Sequence, residues 1–507
     1  MPPRQTASRI PLLWLLLPLI LGLVAAHHSS IGSPLICFAA AFLLLGISLV
    51  TNVTTQDSHR VWALTYAFAC FILGYGIHLQ LDAPNQTRTD FPSREATLTL
   101  QVKRTFISST STSKGIATIV DAPDHLPDFQ GLKLYYSLFL DDSSLEPSPS
   151  IQISARAVLE RITPDPKGNS FNTYLLNQGI WGSFTRGPIL SEIRPPNIYH
   201  KLTKQARQWI QTRLLRGIDS EAPYAGTYAA MTLGLRNELD TDQKETFLKS
   251  GTMHLFAISG LHIGVIAACI HALLQLLRIP RIWLPVLSII LIATFVSITG
   301  GSASAWRALL MIACYYLCQS CRVQSAPLNA LVLSALICLL IDPRQLFHAG
   351  FQMSYATVAV ILLYGVPLAN RANSAWKPFE NLPKVAWSKI HHVISTSTHY
   401  AINLFCIGLS TSLVSGFFSI AYFNTLPVAG IITNFLLLPL ASLAIIAGVC
   451  SIFASLIALS PLSILFNNAA ALLLFGIESS LNWLTKWSFT SLQTTAPNTT
   501  LLLSLVC

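Results

Sequence analysis

Charge is scarce in this chain. Asp, Glu, Lys and Arg together make up 11% of its 507 residues, where an ordinary soluble domain carries about 25%. With 52% hydrophobic residues and a mean hydropathy of +0.54, that scarcity excludes a soluble enzyme and leaves a polytopic membrane protein. Acid is the scarcer sign, 22 residues against 32 basic ones, and none lies between Arg194 and Arg216. A basic surplus in a membrane protein first marks cytoplasmic loops, by the positive-inside rule, and only then an anionic ligand. Cysteine is missing between Cys70 and Cys269, so no disulfide framework can hold a soluble domain there. Cys314, Cys318 and Cys321 fall on about one helical face, but without a fourth ligand or a polar setting they read as packing rather than metal binding. A phosphate-cradling GxxxxGKS or GxxxxGKT loop is also absent, so any nucleotide hydrolysis that drives transport must come from a partner.

What is present begins with apolar spans. Residues 10–26 follow Arg4 and Arg9 in the manner of a secretory signal, but spans at about 35–50 and 61–81 come directly after. This reads as a retained first helix with a cytoplasmic N-terminus, and it puts the exit of the third span, at Asp82, outside. From about Phe91 to Arg194 the pattern changes. ATLTLQVKRTF, GIATIVDA, GLKLYYSLFL and SIQISARAVLERI alternate apolar with polar residues or are rich in Val, Ile, Thr and Tyr, with Gly, Pro, Asp and Ser between them. Short strands of a small barrel or sandwich have this signature, and about four to six strands fit the length. Lys103, Arg104, Phe106, Lys133, Tyr135, Tyr136 and Arg156 are candidates for a nucleic-acid surface there, against the alternative of a solvated strand face over core aromatics. Asp121, Asp124, His125 and Asp128 offer ligand types for a divalent cation, a start towards phosphodiester hydrolysis, although Pro123 and Pro127 favour an ordinary polar loop.

A basic segment follows, with Lys201, Lys204, Arg207, Arg213 and Arg216. Leu202, Ala206, Trp209, Ile210 and Leu214 recur in it at helical spacing, which predicts an amphipathic helix on the membrane surface, with Arg213 out of place on its apolar stripe. Such a helix either anchors to lipid headgroups or funnels phosphates. TDQKETFLKSG then reads as a surface helix that starts at Asp240 or Thr241 and stops before Gly251. Next comes SGTMHLFAISGLHIGVIAACIHALLQLL, Ser250 to Leu277, in which His254, Ser259, Gly260 and His262 interrupt a lipid-grade apolar run. Polar groups in such a run face a bundle interior or a water-filled path. Ser259 can bond the carbonyl one turn back and Gly260 removes a side chain, so a kink or broken helix is expected, serving a close helix contact or a transport path. Spans at about 254–277, 282–299, 304–320, 327–341 and 350–369 place Arg278, Arg281, Arg322, Arg371 and Lys377 on one common side, the cytoplasm, opposite the soluble insert. Arg307 lies just inside a span after small residues, and His348, Gly350, Phe351, Gln352 and Ser354 group at the outer end of another. In the apolar last third Asn403, Asn424, Asn434 and Glu478 are the few polar marks.

AMTLGLRNELDTDQKETFLKSGTMHLFAISGLHIG, Ala230 to Gly264, resembles the signature of the ComEC family, the bacterial competence proteins that conduct single-stranded DNA across the cytoplasmic membrane. PKGNSFNTYLLNQGIWG (Pro166 to Gly182), DPRQLFHAGFQMSYATVAVILL (Asp342 to Leu363) and PVAGIITNFLLLPLASLAI (Pro427 to Ile445) resemble further family stretches, so the likeness covers roughly residues 10 to 460. The resemblance implies a polytopic α-helical membrane protein of the bacterial inner membrane with a small extracytoplasmic β-barrel insert of OB-like type. The expected division is 1–90, a three-helix membrane segment; 91–195, the OB-like domain; 196–250, basic and surface helices; and 251–507, the channel domain. It also implies a DNA path lined or shaped by His254, Ser259, Gly260, His262, Arg307 and Gln352, and DNA contacts from Lys103, Arg104, Lys133, Tyr135, Arg156, Lys201, Lys204 and Arg207. Implied partners are single-stranded DNA, membrane lipid, a periplasmic DNA receptor and a cytoplasmic helicase-like motor, with homo-oligomerisation left open. No cofactor is expected. Many family members carry a metallo-β-lactamase-like domain with an HxHxDH-like metal cluster; this sequence has no such cluster, so the expectation is a short form without that domain and without enzymatic activity. A transporter or flippase for a smaller anionic solute is the main alternative, and a membrane-bound nuclease acting through the Asp121 to Asp128 loop a weaker one.

Overall fold

The structure is a computed structural model that describes residues 10–29, 31–54, 59–86, 92–108, 112–122, 129–140, 148–163, 171–219, 221–256, 258–323, 326–379, 383, 386–423, 425–426, 430–484 and 492–493. Its contacts divide the chain into two compact units, Met1–Lys204 with Ala335–His348, and Gln205–Ser334 with Ala349–Cys507.

The first unit opens with three apolar helices, α1 (Leu13–His28), α2 (Pro34–Thr54) and α3 (His59–Gln86). Glycines let α1 and α3 meet backbone to backbone. A Cβ on Gly22 would lie 2.0 Å from the carbonyl oxygen of Phe71, and one on Gly74 would lie 2.4 Å from that of Leu19. A closed five-stranded barrel follows: β1 (Arg94–Ser108), β2 (Thr112–Asp121), β3 (Lys133–Phe139), β4 (Gln152–Arg161) and β5 (Gly182–Arg194), in the order β1-β2-β3-β5-β4. All pairings are antiparallel except β3 with β5, an OB-like arrangement. Alternate residues point inward, so Leu98, Leu100, Tyr136, Ile153, Leu159 and Phe184 fill the barrel. The sequence reading found four of these strands and missed β5. GSFTRGPILSEIR hides its alternation behind two glycines and a proline: Arg186 has φ 64°, the registers slip beside it, and Gly187 lies so close to β4 that a Cβ would sit 1.9 Å from the Arg156 carbonyl oxygen. Helix α4 (Phe171–Asn177) precedes β5.

A 3-10 turn, Pro343–Phe347, completes this unit and ties its parts together. Asp342 caps the turn by accepting from the Arg344 N–H at 3.2 Å. The Arg344 guanidinium donates to the Leu81 carbonyl of α3 at 2.8 Å and lies over Gly179, where φ is 72° and a Cβ would sit 2.2 Å from Nη1. Phe347 stacks on His27, ring centroids 4.1 Å apart, and approaches His78 at 5.5 Å.

The second unit is helical. It contains most of α5 (Ile198–Leu214), then α6 (Pro223–Leu233), α7 (Thr241–Lys249), α8 (Gly260–Leu276), α9 (Leu284–Ile298), α10 (Ala303–Ser320), the start of α11 (Ala326–Ile341), α12 (Ala349–Val360), α13 (Val366–Ala375), α14 (Lys389–Phe423), α15 (Gly430–Leu456) and α16 (Ser460–Leu484). Among the described residues five helical stretches are long and apolar enough to cross a membrane: Val61–Leu81, Ala349–Ala375, Lys389–Tyr422, Phe435–Leu456 and Ser460–Leu484. Polytopic helices with a barrel insert are thus the observed fold class. Helices α1, α8, α9 and α11 are apolar but shorter. Between α12 and α13 the chain makes a π-helical turn, Ile361–Gly365. Pro367 explains it, because its ring crowds the carbonyl four residues back and it has no N–H to give. The core centres on α6, buried from Thr227 to Leu233 against α15 and α16, an element the sequence reading did not separate from the surface segment around it.

Asn467 of α16 fixes α5 to this core. Fully buried, its Nδ2 donates to the carbonyls of Arg213 at 2.8 Å and Arg216 at 2.9 Å. Asn467→Leu leaves both carbonyls without that donor, a cost of about 1–3 kcal/mol for each one orphaned. The thermal unfolding midpoint of the full chain in detergent should fall accordingly; an unchanged midpoint would show that α5 is held by other contacts.

Candidate functional site

The central motif is broken, as its composition suggests, but by a different bond. Met253–Phe256 forms a 3-10 turn, Ser259 is extended, and α8 starts at Gly260, so the expected span over 254–277 is not one continuous helix. Ser259 bonds forward rather than back: its Oγ accepts from the His262 N–H at 3.5 Å, while its own N–H donates to His262 Nδ1 at 3.3 Å. This is a capping box with histidine in the third helical position. Accepting at Nδ1 puts the proton of a neutral ring on Nε2. His262 is therefore a buried capping residue. Gly260 is exposed, and a Cβ there would meet only the Ala308 Cβ, at 3.8 Å; one on Gly264 would meet nothing within 4 Å. His254 sits in the 3-10 turn, and its side chain lies outside the described ones.

Arg307 is buried on α10 and reaches the first turn of α12. Its Nη2 donates to the Gly350 carbonyl at 2.9 Å and to Ser354 Oγ at 3.1 Å, with Nε 3.3 Å from the same hydroxyl. Gln352 lies on another side of α12, where its Oε1 accepts from Tyr422 of α14 at 2.7 Å. The beginnings of α8, α10 and α12 therefore come together, through Gly260 beside Ala308 and Arg307 beside Gly350. Ser302 caps α10, accepting from the Ala305 N–H at 3.3 Å. Helix N-termini carry partial positive charge, so the meeting of these with a guanidinium suits an anion.

On the barrel, Lys103, Arg104, Lys133 and Arg156 are exposed. Lys103 donates to Gln101 Oε1 at 2.7 Å, Arg104 lies over the Phe106 ring at 5.3 Å, and Arg156 pairs with Glu95 at 2.9 Å. Tyr135 is half-buried, with burial raising its pKa from the ordinary phenol value. Tyr136 belongs to the interior and corrects the sequence reading: the strand's two-residue period turns it into the barrel, its hydroxyl 3.4 Å from Ser113 Oγ. On α5, Lys201 and Lys204 are exposed, whereas the Arg207 Nε donates to the Ile298 carbonyl at the end of α9, 2.7 Å away. Burial lowers the Arg207 pKa from its ordinary value. Arg213, out of place on an apolar stripe, lies over Trp209 at 5.4 Å.

Three features had no role assigned to them from the sequence. Glu478 accepts from Thr227 Oγ1 and from Gln243 Nε2, the latter at 3.1 Å, joining α16 to α6 and α7. Its signal was a lone acid in an apolar third. Phe171 and Tyr174, three residues apart on α4, are exposed rings, and Arg344 is the joint described above. The described residues contain no group of three or more His, Cys, Asp and Glu side chains suited to a metal; Asp124, His125 and Asp128, like Asn424 and the side chain of Asn434, lie outside them.

Residues 231–507 match the profile of a family described as "Competence protein". Among curated proteins the chain is similar to ComE operon protein 3 of Bacillus subtilis, 29% identical over 220 residues that cover 43% of this chain and 28% of that protein. It is also similar to Recombination protein 2 of Haemophilus influenzae, 26% identical over 231 residues that cover 44% of this chain and 27% of the relative. The chain thus spans about a quarter of the length of these curated relatives. No solved structure matches it.

Ser259→Ala removes the forward cap and should cost about 0.5–2 kcal/mol. Hydrogen exchange at the His262 amide reads this locally and should accelerate. An unchanged rate would mean that the amide is protected by something other than Ser259.

Proposed function

The chain belongs to the competence protein family, the ComEC proteins, and from that premise we propose that it is an inner-membrane channel for single-stranded DNA during natural transformation. The observation that carries the reading is the meeting of the α8, α10 and α12 beginnings beside Arg307, next to the open face at Gly260 and Gly264. A polyanion crossing lipid needs a wet route lined by positive or hydrogen-bonding groups. Three helix beginnings supply positive ends without mobile cations, and glycine leaves room for a strand. In this reading Gly260 and Gly264 line the route, while Ser259, His262, Arg307 and Gln352 hold its walls in place; His254 is assigned to it by its place in the motif.

The barrel, residues 91–195, is the receiving domain on the extracytoplasmic side, with Lys103, Arg104, Lys133, Tyr135 and Arg156 as its DNA contacts. Lys201 and Lys204 continue the basic surface, Arg207 pins α5 to the end of α9, and the exposed Leu202 and Trp209 meet membrane lipid. The channel domain occupies 251–507. A periplasmic receptor and a cytoplasmic helicase-like motor are the partners this arrangement calls for, and self-association is compatible with it. No covalent step is assigned to the chain. The π-helical turn at Ile361–Gly365 favours a second reading, transport of a smaller anionic solute, because paired helix interruptions mark solute sites in transporters.

Gly260→Leu is expected to abolish uptake of transforming DNA while the variant still reaches the membrane and its barrel still binds single strands. Normal uptake would remove α8 from the path. Binding of single strands by the full chain should weaken linearly in log–log form as salt rises, through loss of counterion release. If no nucleic acid binds while a small anion stabilises the protein, the solute reading takes its place.

A further inference from the structure

On an OB-like barrel the outer face of β1–β2–β3 would be open to bases, but here α4 roofs part of it. Arg104 stands opposite Ile116, and Ile116 opposite Tyr135, across the three strands. Ile116 is buried with Leu175 of α4, Ile162 and Ile180 in a small core of its own, with Phe106 and Tyr135 at its margin. The roof brings rings of its own. Phe171 is 49% exposed and Tyr174 37%, although burying either against the barrel would have been favourable.

These rings form a row. The Arg104 guanidinium lies over Phe106, Phe106 meets Phe171 at 6.3 Å, Phe171 stacks on Tyr174 at 5.9 Å, and Tyr174 meets His348 at 6.0 Å. The last contact joins α4 to the turn that Arg344 clamps on α3, so the row runs from the barrel's cationic edge to the membrane end of the same unit. We propose that Phe106, Phe171, Tyr174 and His348 form a stacking track that carries the bases of a single strand from the barrel towards the membrane. The proposal rests on the DNA reading and deepens it. Aromatic rings accept every base because each base has a π-face, which suits transport without sequence preference. Arg104 at one end and exposed Lys133, two positions from Tyr135, complement the phosphates. Tyr135 widens the row at the barrel, its ring edge-on to Phe171 at 5.2 Å.

The test uses the full chain in lipid nanodiscs, with fluorescent oligothymidylate and an abasic strand of equal length. Phe171→Leu and Tyr174→Leu keep apolar bulk over Leu175 and remove the rings. Each should weaken oligothymidylate binding roughly 10- to 100-fold, leaving abasic-strand affinity and the salt slope unchanged. A strand bearing 5-iodouracil should crosslink to Tyr174 or Phe171 in the unaltered protein, a readout independent of any variant's folding. Undiminished affinity in the double variant without crosslinks would overturn the track and leave the DNA reading standing, as would equal weakening of both strands. If the unaltered protein binds neither strand, the DNA reading falls and the track with it; capture of a protein at Phe171 and Tyr174 instead would replace the track with a docking surface.

Discussion

A helix that ends inside apolar surroundings leaves amides and carbonyls that no water reaches, and this structure depends on side chains that reach those ends from elsewhere in the chain. Arg207 supplies the Ile298 carbonyl at the end of α9, and Asn467 the carbonyls of Arg213 and Arg216 at and just past the end of α5. Ser259 and His262 satisfy each other's amides at the start of α8. In each case a polar group that composition alone would send to the surface or to a ligand is held by backbone instead. Each of these ends is met by a named side chain, and a buried peptide group left without a partner would cost free energy.

Stopping there has a consequence for function. A continuous span satisfies all its own peptide groups and offers a solute nothing but side chains. Helix α8, 17 residues long, reaches about 25 Å at 1.5 Å per residue, short of a hydrocarbon core of about 30 Å. Ala308 of α10 lies beside its N-terminus, and Arg307 ties that turn of α10 to the start of α12. The same capping that makes the break affordable fixes the direction of the exposed dipole.

Much of this architecture was legible. Scarce charge and long apolar runs gave the membrane helices, alternation gave four barrel strands, and Ser259–Gly260 marked the break. The strand β5 was not legible, because a positive φ at Arg186 and the close approach at Gly187 are properties of the barrel's closure rather than of the local sequence. Helix α6 was hidden for a related reason: PYAGTYAAMTL is buried on nearly every side, so it has no amphipathic period to read. Partnerships across long sequence separations, such as Glu478 with Gln243 or Arg344 with Leu81, leave no trace in spacing at all.

The basic residues show why sign alone misleads. Reading a surplus of Lys and Arg as a DNA surface treats every cation as available, yet Arg207 and Arg307 bond carbonyls and Arg156 faces Glu95. Guanidinium groups suit such duty, since a planar fork with several donors can serve two acceptors and is weakly hydrated. Lysine does not, and Lys133 and Lys201 remain exposed. Which cations a ligand could reach is therefore decided by burial and bonding rather than by sign.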